Sequence, residues 1–121
     1  MQILSDIFIG LVVILHIGFM VLESFLWETK FAKRRFGMTT EVAATTKDLA
    51  LNQGVYNLFL AGGLIFAQMY RGQDVYGAIC GFFLGCVIIA GIVGAKTVSS
   101  RIFFIQAVPA IVAAVFLYLS R

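Results

Sequence analysis

Charge is scarce in this chain. Asp, Glu, Lys and Arg make up 12% of its 121 residues, against 61% hydrophobic residues. A soluble domain usually carries about twice that charged fraction, so with a mean hydropathy of +1.00 the composition argues against an ordinary water-soluble fold. Cysteine is equally sparse. Cys80 and Cys86 lie six residues apart in one apolar run, on nearly opposite faces of a helix, which excludes a bridge between them within one chain. Both read as small apolar packing residues, and no C-x-x-C pair offers thiol oxidation. Histidine occurs once, as His16, so bis-histidine haem ligation would need a dimer. Neither a cofactor nor a metal is expected.

What is present is apolar and long. Four runs, at residues 7–27, 49–70, 75–95 and 102–119, each come near the ~20 residues with which a helix crosses ~30 Å of hydrocarbon. The expected fold is an all-α integral membrane protein, four transmembrane helices in one compact bundle over residues 1–121, with a cytoplasmic loop at 28–48. Nothing remains for a soluble domain. The first run lacks a basic n-region and a small-residue cleavage site and exceeds a usual h-region, so it is expected to stay in the mature protein.

Basic residues set the expected orientation. The first connection holds Lys30, Lys33, Arg34, Arg35 and Lys47, the second Arg71, the third Lys96 and Arg101, and the C-terminus Arg121. With four alternating helices, seven of these nine share one side. The positive-inside rule makes that side cytoplasmic and leaves both termini outside the cytoplasm of a cell membrane. The pI of about 9.1 is then explained by topology and anionic headgroups, and nucleic acid is not an expected partner. So one-sided a bias also opposes dual insertion.

Within the long loop, Gly37 reads as a helix stop, Thr39 and Thr40 as candidate N-caps, and Glu41 as a first-turn acid. A helix from about Glu41 should run unbroken into the second span. In the third run, Gly77, Gly81 and Gly85 recur every four residues, a spacing that lets membrane helices approach closely within the bundle or in a homo-oligomer. Gly62 and Gly63 read the same way.

Glu23 is the one charge of fifteen placed inside a run. A carboxylate in hydrocarbon is expensive, so it should face the bundle and find a partner. His16, Met20, Glu23 and Trp27 fall within an arc of about 60° on a helix, with His16 about 10 Å from Glu23 along the axis. A direct hydrogen bond between His16 and Glu23 is out of reach, whereas a ligand or water chain could touch both. The second span opens with Asn52, Gln53, Tyr56 and Asn57, more polar groups than interhelical hydrogen bonding alone requires. In the fourth run, Gln106 and Pro109 lie near the start, and the missing N–H of proline should free a carbonyl near residue 105.

By chain direction, Glu23, Trp27, Asn52, Gln53, Tyr56, Asn57 and Gln106 should lie at similar depth on the cytoplasmic side, with His16 as a deeper floor. The expected function is binding of a small hydrophobic or amphiphilic molecule in a cavity open to the cytoplasmic leaflet. Trp27, Asn52, Gln53, Tyr56, Asn57 and Gln106 would contact it, and Glu23 and His16 are the candidate catalytic pair if acid/base chemistry occurs. Two alternatives stand beside it: a structural or regulatory membrane subunit, and a proton-coupled exporter of small molecules. Membrane lipids are the other expected partners. An enzymatic and a purely binding role both fit these residues.

The patterns H-x6-E-x3-W (His16, Glu23, Trp27), L-x2-NQG-x-YN-x-FL (Leu49 to Leu60) and G-x2-T-x8-Q-x2-PA (Gly94, Thr97, Gln106, Pro109, Ala110) resemble a family of small bacterial and fungal membrane proteins. That family is known as domain of unknown function 1304. The resemblance implies four membrane helices and no established activity. This chain departs from the family pattern at Ile17 and Ser24, where relatives place an aromatic and a Met.

Overall fold

The computed structural model describes all 121 residues, and every regular element is helical. We label the α-helices α1 (Gln2–Phe25), α2 (Lys30–Phe36), α3 (Thr40–Ala67), α4 (Val75–Thr97) and α5 (Val108–Leu119). A 3-10 turn, Gln68–Tyr70, extends α3, and a π-helical turn, Phe103–Ala107, precedes α5. Three segments, Gln2–Phe25, Thr40–Tyr70 and Val75–Thr97, are long and apolar enough to cross a membrane. The fourth, Phe103–Leu119, is apolar but shorter, about 25 Å at helical rise. This is compatible with a multi-pass membrane protein.

The long loop folds as its local chemistry dictates. Thr29 caps α2 by accepting the Ala32 N–H at 3.3 Å, and Gly37 ends it in the left-handed conformation, φ 62°. The Met38 N–H closes that end on the Lys33 carbonyl at 2.8 Å, a C-terminal cap that only a residue without Cβ enters cheaply. Thr39 then accepts the Val42 N–H at 3.1 Å and starts α3, which runs 28 residues without a break. The expected stop, cap and continuous helix are all present. The α2 helix itself is an addition, and α1 ends at Phe25, two residues short of the expected limit.

The chain divides into two units whose boundaries fall inside α1 and α3. One comprises residues 1–15 and 60–121, the other residues 16–59. In the first unit, Ile9 and Val12 of α1, Leu64 and Ala67 of α3, Cys80, Leu84 and Val87 of α4, and Ala110, Ala113 and Leu117 of α5 form one buried core. Cys80 is buried there as a free thiol, and Cys86 is also free. At one end of this unit stands the only ion pair of the chain, Arg71 with Asp6. Gln2 Nε2 donates to the same carboxylate at 3.2 Å, and Arg71 Nη1 donates to Gln68 Oε1 at 3.3 Å. The hydrogen bond to Asp6 holds the Arg71 guanidinium above its ordinary pKa.

Pro109 has its effect upstream, where the backbone widens into the π-turn. The Val108 N–H donates to the Phe103 carbonyl, five residues back, and Pro109 follows within the first turn of α5. The register shift accommodates a residue that has no N–H to give. The same segment packs its backbone close on α4: a Cβ added at Gly91 would lie 2.8 Å from both the nitrogen and the Cβ of Ala107. One added at Gly94 would lie 2.7 Å from Ile102 Cγ2. Gly63 is likewise closed in, by the Phe83 ring. Of the expected glycine stripe, Gly77 packs against the Arg121 side chain, whereas a Cβ at Gly81, Gly85 or Gly62 would meet nothing within 4 Å. Within this unit, close helix approach is therefore made at Gly63, Gly91 and Gly94.

Candidate functional site

Residues 16–59 form the second unit, and they contain every candidate site residue except Gln106. Its frame is an antiparallel helix pair, the C-terminal part of α1 against the first half of α3, with α2 between them in sequence. Ala43, Ala50 and Gly54 of α3 are buried, a small-residue face that lets helices approach closely. The approach is tightest at Gly54, where an added Cβ would run into Ser24 Oγ and lie 3.1 Å from the Met20 carbonyl oxygen and 3.3 Å from the Ser24 nitrogen. The α1 backbone itself thus packs on the glycine of the NQG-x-YN segment.

Three residues along α3 from that point, Asn57 Nδ2 donates to Glu23 Oε1 at 2.7 Å. The one charge placed inside an apolar run therefore has a neutral amide as its hydrogen-bond partner. The pairing follows from helix phase: Gly54 and Asn57 share a face of α3 three residues apart, and the face that buries Gly54 carries Asn57 to α1. Both Glu23 and Asn57 are half-buried. Glu23 makes no ion pair, since Arg71 with Asp6 is the only one in the chain.

Trp27 lies just past the end of α1. Its Nε1–H donates to Thr46 Oγ1 at 3.0 Å, and the Thr46 hydroxyl donates to the Val42 carbonyl at 2.7 Å. The Trp27 ring also packs on Phe36 of α2, with centroids 5.1 Å apart. The indole thus ties the turn after α1 to both α2 and α3. His16 is buried at 1% exposure, with its ring edge-on to Phe19 at 5.6 Å.

The other candidates take different positions. Asn52, Gln53 and Tyr56 are exposed on the outer side of α3, with Tyr56 edge-on to Phe59 at 5.9 Å. The polar segment is thus split by helix phase: Asn57 and Gly54 turn to α1, and Asn52, Gln53 and Tyr56 turn outward. Gln106 belongs to the first unit, half-buried in the π-turn. One cleft of about 400 Å³, between the end of α2 and the start of α3, and one groove of about 210 Å³, between α1 and α3 in the first unit, are open in the structure. Neither is lined by a candidate site residue.

Sequence reasoning gave Thr46 no role and noted Ser24 only as a departure from the family pattern. Thr46 carried a usable signal, because it precedes Asn57 by eleven residues, three helical turns, and so shares its face within about 20°. Ser24 carried none, since its contact with Gly54 depends on the depth at which α1 and α3 meet.

A sequence profile for the family described as "Protein of unknown function (DUF1304)" matches residues 10–118. No curated protein and no solved structure shows significant similarity to the chain.

Proposed function

Because the chain belongs to the DUF1304 family of proteins of unknown function, we propose its role from the chemistry of its own residues: a membrane protein that binds a small hydrophobic or amphiphilic molecule at Glu23. The observation that carries this reading is the Glu23–Asn57 pair, a carboxyl group in an apolar helix with an amide donor at 2.7 Å and no cationic partner in the chain. A carboxylate at that depth is costly unless its charge is neutralised. A proton or the cationic head of a ligand must supply what no lysine or arginine does. Asn57 orients the carboxyl group, Trp27 closes the side toward the turn, and buried His16 lies two helical turns deeper. Asn52, Gln53 and Tyr56 offer polar contacts on the outer face of α3, where a molecule arriving from the lipid would first meet the protein.

The basic residues of the loop after α1 support a cytoplasmic position for this end of the helix pair. The molecule is then taken from the cytoplasmic leaflet. Acid/base chemistry at Glu23, with His16 as the second proton-carrying group, is the extension this arrangement allows.

The test is Glu23→Gln in the full chain purified in detergent, with mass spectrometry of the small molecules retained. The variant keeps an acceptor for Asn57 and removes the charge, so helicity should be unchanged and a molecule held by the wild type should be lost. Equal retention by both proteins refutes the reading. A second reading, a purely structural polar seam, is favoured by how completely Trp27, Thr46 and Val42 satisfy one another. It predicts no retained molecule in either protein and a loss of stability only when Glu23 is replaced by an apolar residue.

A further inference from the structure

The cleft between α2 and α3 has a composition that the site above does not use. It is open to the surface, measures about 400 Å³, and is lined by Lys30, Lys33 and Arg34 from α2, by the left-handed turn at Gly37 with Met38, and by Thr39 and Thr40. Its lining holds three cations and no carboxylate. None of the three is ion-paired, because the chain's single ion pair is elsewhere. From these residues we propose that the cleft binds a phosphate group.

The geometry follows from the two caps. The reversal at Gly37 folds the last turn of α2 back on the first turn of α3, so that cations from one helix face hydroxyls from the other. Lys33 Nζ donates to Thr40 Oγ1 at 3.0 Å, which leaves two ammonium protons and the Thr40 O–H for a ligand. Thr39 Oγ1 accepts the Val42 N–H, so its own proton is also free to be donated. Arg34 supplies a planar fork suited to two oxygens of one phosphate, and Lys30 a point charge. Three like charges around one cleft repel each other, and an anion with several acceptor oxygens relieves that repulsion while accepting from all of them. A single carboxylate has too few oxygens for this set of donors. The start of α3, a 28-residue helix, adds its partial positive charge in the same direction.

The phosphate can come from two sources, a phospholipid headgroup at the membrane surface or a soluble phosphate compound. The test uses the full chain in phosphatidylcholine nanodiscs and reads the thermal midpoint at fixed ionic strength. In one arm inorganic phosphate replaces chloride; in the other phosphatidic acid replaces part of the phosphatidylcholine. A saturable rise with inorganic phosphate identifies a soluble ligand, and a rise with phosphatidic acid alone identifies a headgroup. Lys33→Gln should weaken the response about threefold to tenfold, as expected for loss of one charge-assisted hydrogen bond at a solvated site. Arg101→Gln, the same charge change outside the cleft, should leave it intact. Phosphorus NMR line broadening on the wild type measures the same binding without any variant. No response in either arm, or equal loss from Lys33→Gln and Arg101→Gln, overturns the proposal.

Discussion

Gly54 is where the candidate site is most easily disturbed, and the effect of filling it can be worked from the structure. Replacing glycine by alanine inside a helix ordinarily stabilises by about 0.5 to 1 kcal/mol. At Gly54 the new Cβ must displace Ser24 Oγ and press on α1 backbone atoms 3.1 and 3.3 Å away, and crowding of this kind costs about 1 to 3 kcal/mol. Gly62 lies in the same helix, and a Cβ there meets nothing within 4 Å. The propensity gain is common to both positions, so Gly54→Ala should be about 1 to 3 kcal/mol less stable than Gly62→Ala. Ser24 Oγ is the nearest obstacle, and adding Ser24→Ala should restore about 0.5 kcal/mol or more of that gap through direct coupling. Forcing α1 from α3 also stretches the 2.7 Å Glu23–Asn57 hydrogen bond, so Gly54→Ala should lose any retained molecule as Glu23→Gln does. Equilibrium unfolding in mixed micelles, followed by the fluorescence of Trp27, measures each variant. Equal stability of Gly54→Ala and Gly62→Ala, with no coupling to Ser24, would refute the close approach.

The same comparison within α4 sets Gly91→Ala, whose Cβ would meet the Ala107 backbone at 2.8 Å, against the open Gly81→Ala; a deficit of about 1 to 3 kcal/mol is expected for the former. If Gly81→Ala instead destabilises, and crosslinking of a dimer falls with it, the Gly77–Gly81–Gly85 stripe packs against a second copy. Arg71→Gln breaks the ion pair with Asp6, whose side chains are 46% and 32% exposed, and should cost no more than about 1 kcal/mol. That loss should shrink at about 1 M salt, where screening acts over about 3 Å, and a loss independent of salt would assign Arg71 a packing role.

How legible each feature was depends on whether it is local. The stop at Gly37, the cap at Thr39 and the unbroken α3 arise from residues within a few positions of one another, and hydrogen bonds of the same short range form them. The π-turn is a partial case: Pro109 signals that a backbone bond is lost, but not that the chain responds by widening from Phe103. The stripe of His16, Met20 and Glu23 was visible on one helix, with Trp27 just past its end, yet Asn57 became the partner of Glu23 only through the way α3 turns toward α1. Asn52, Gln53 and Tyr56, within five residues of Asn57, turned outward for the same reason.

Composition and short-range chemistry by themselves determined that this chain is helical, apolar enough for membrane crossing, and carries one charge out of place. Those properties depend on transfer free energy and on local hydrogen bonding, which each segment expresses alone. Tertiary structure alone decided which glycines are closed in and which amide reaches Glu23. A helix fixes the angles between its own side chains at about 100° per residue, but its rotation and depth against a neighbour are set by packing, and those two quantities choose which side chains meet.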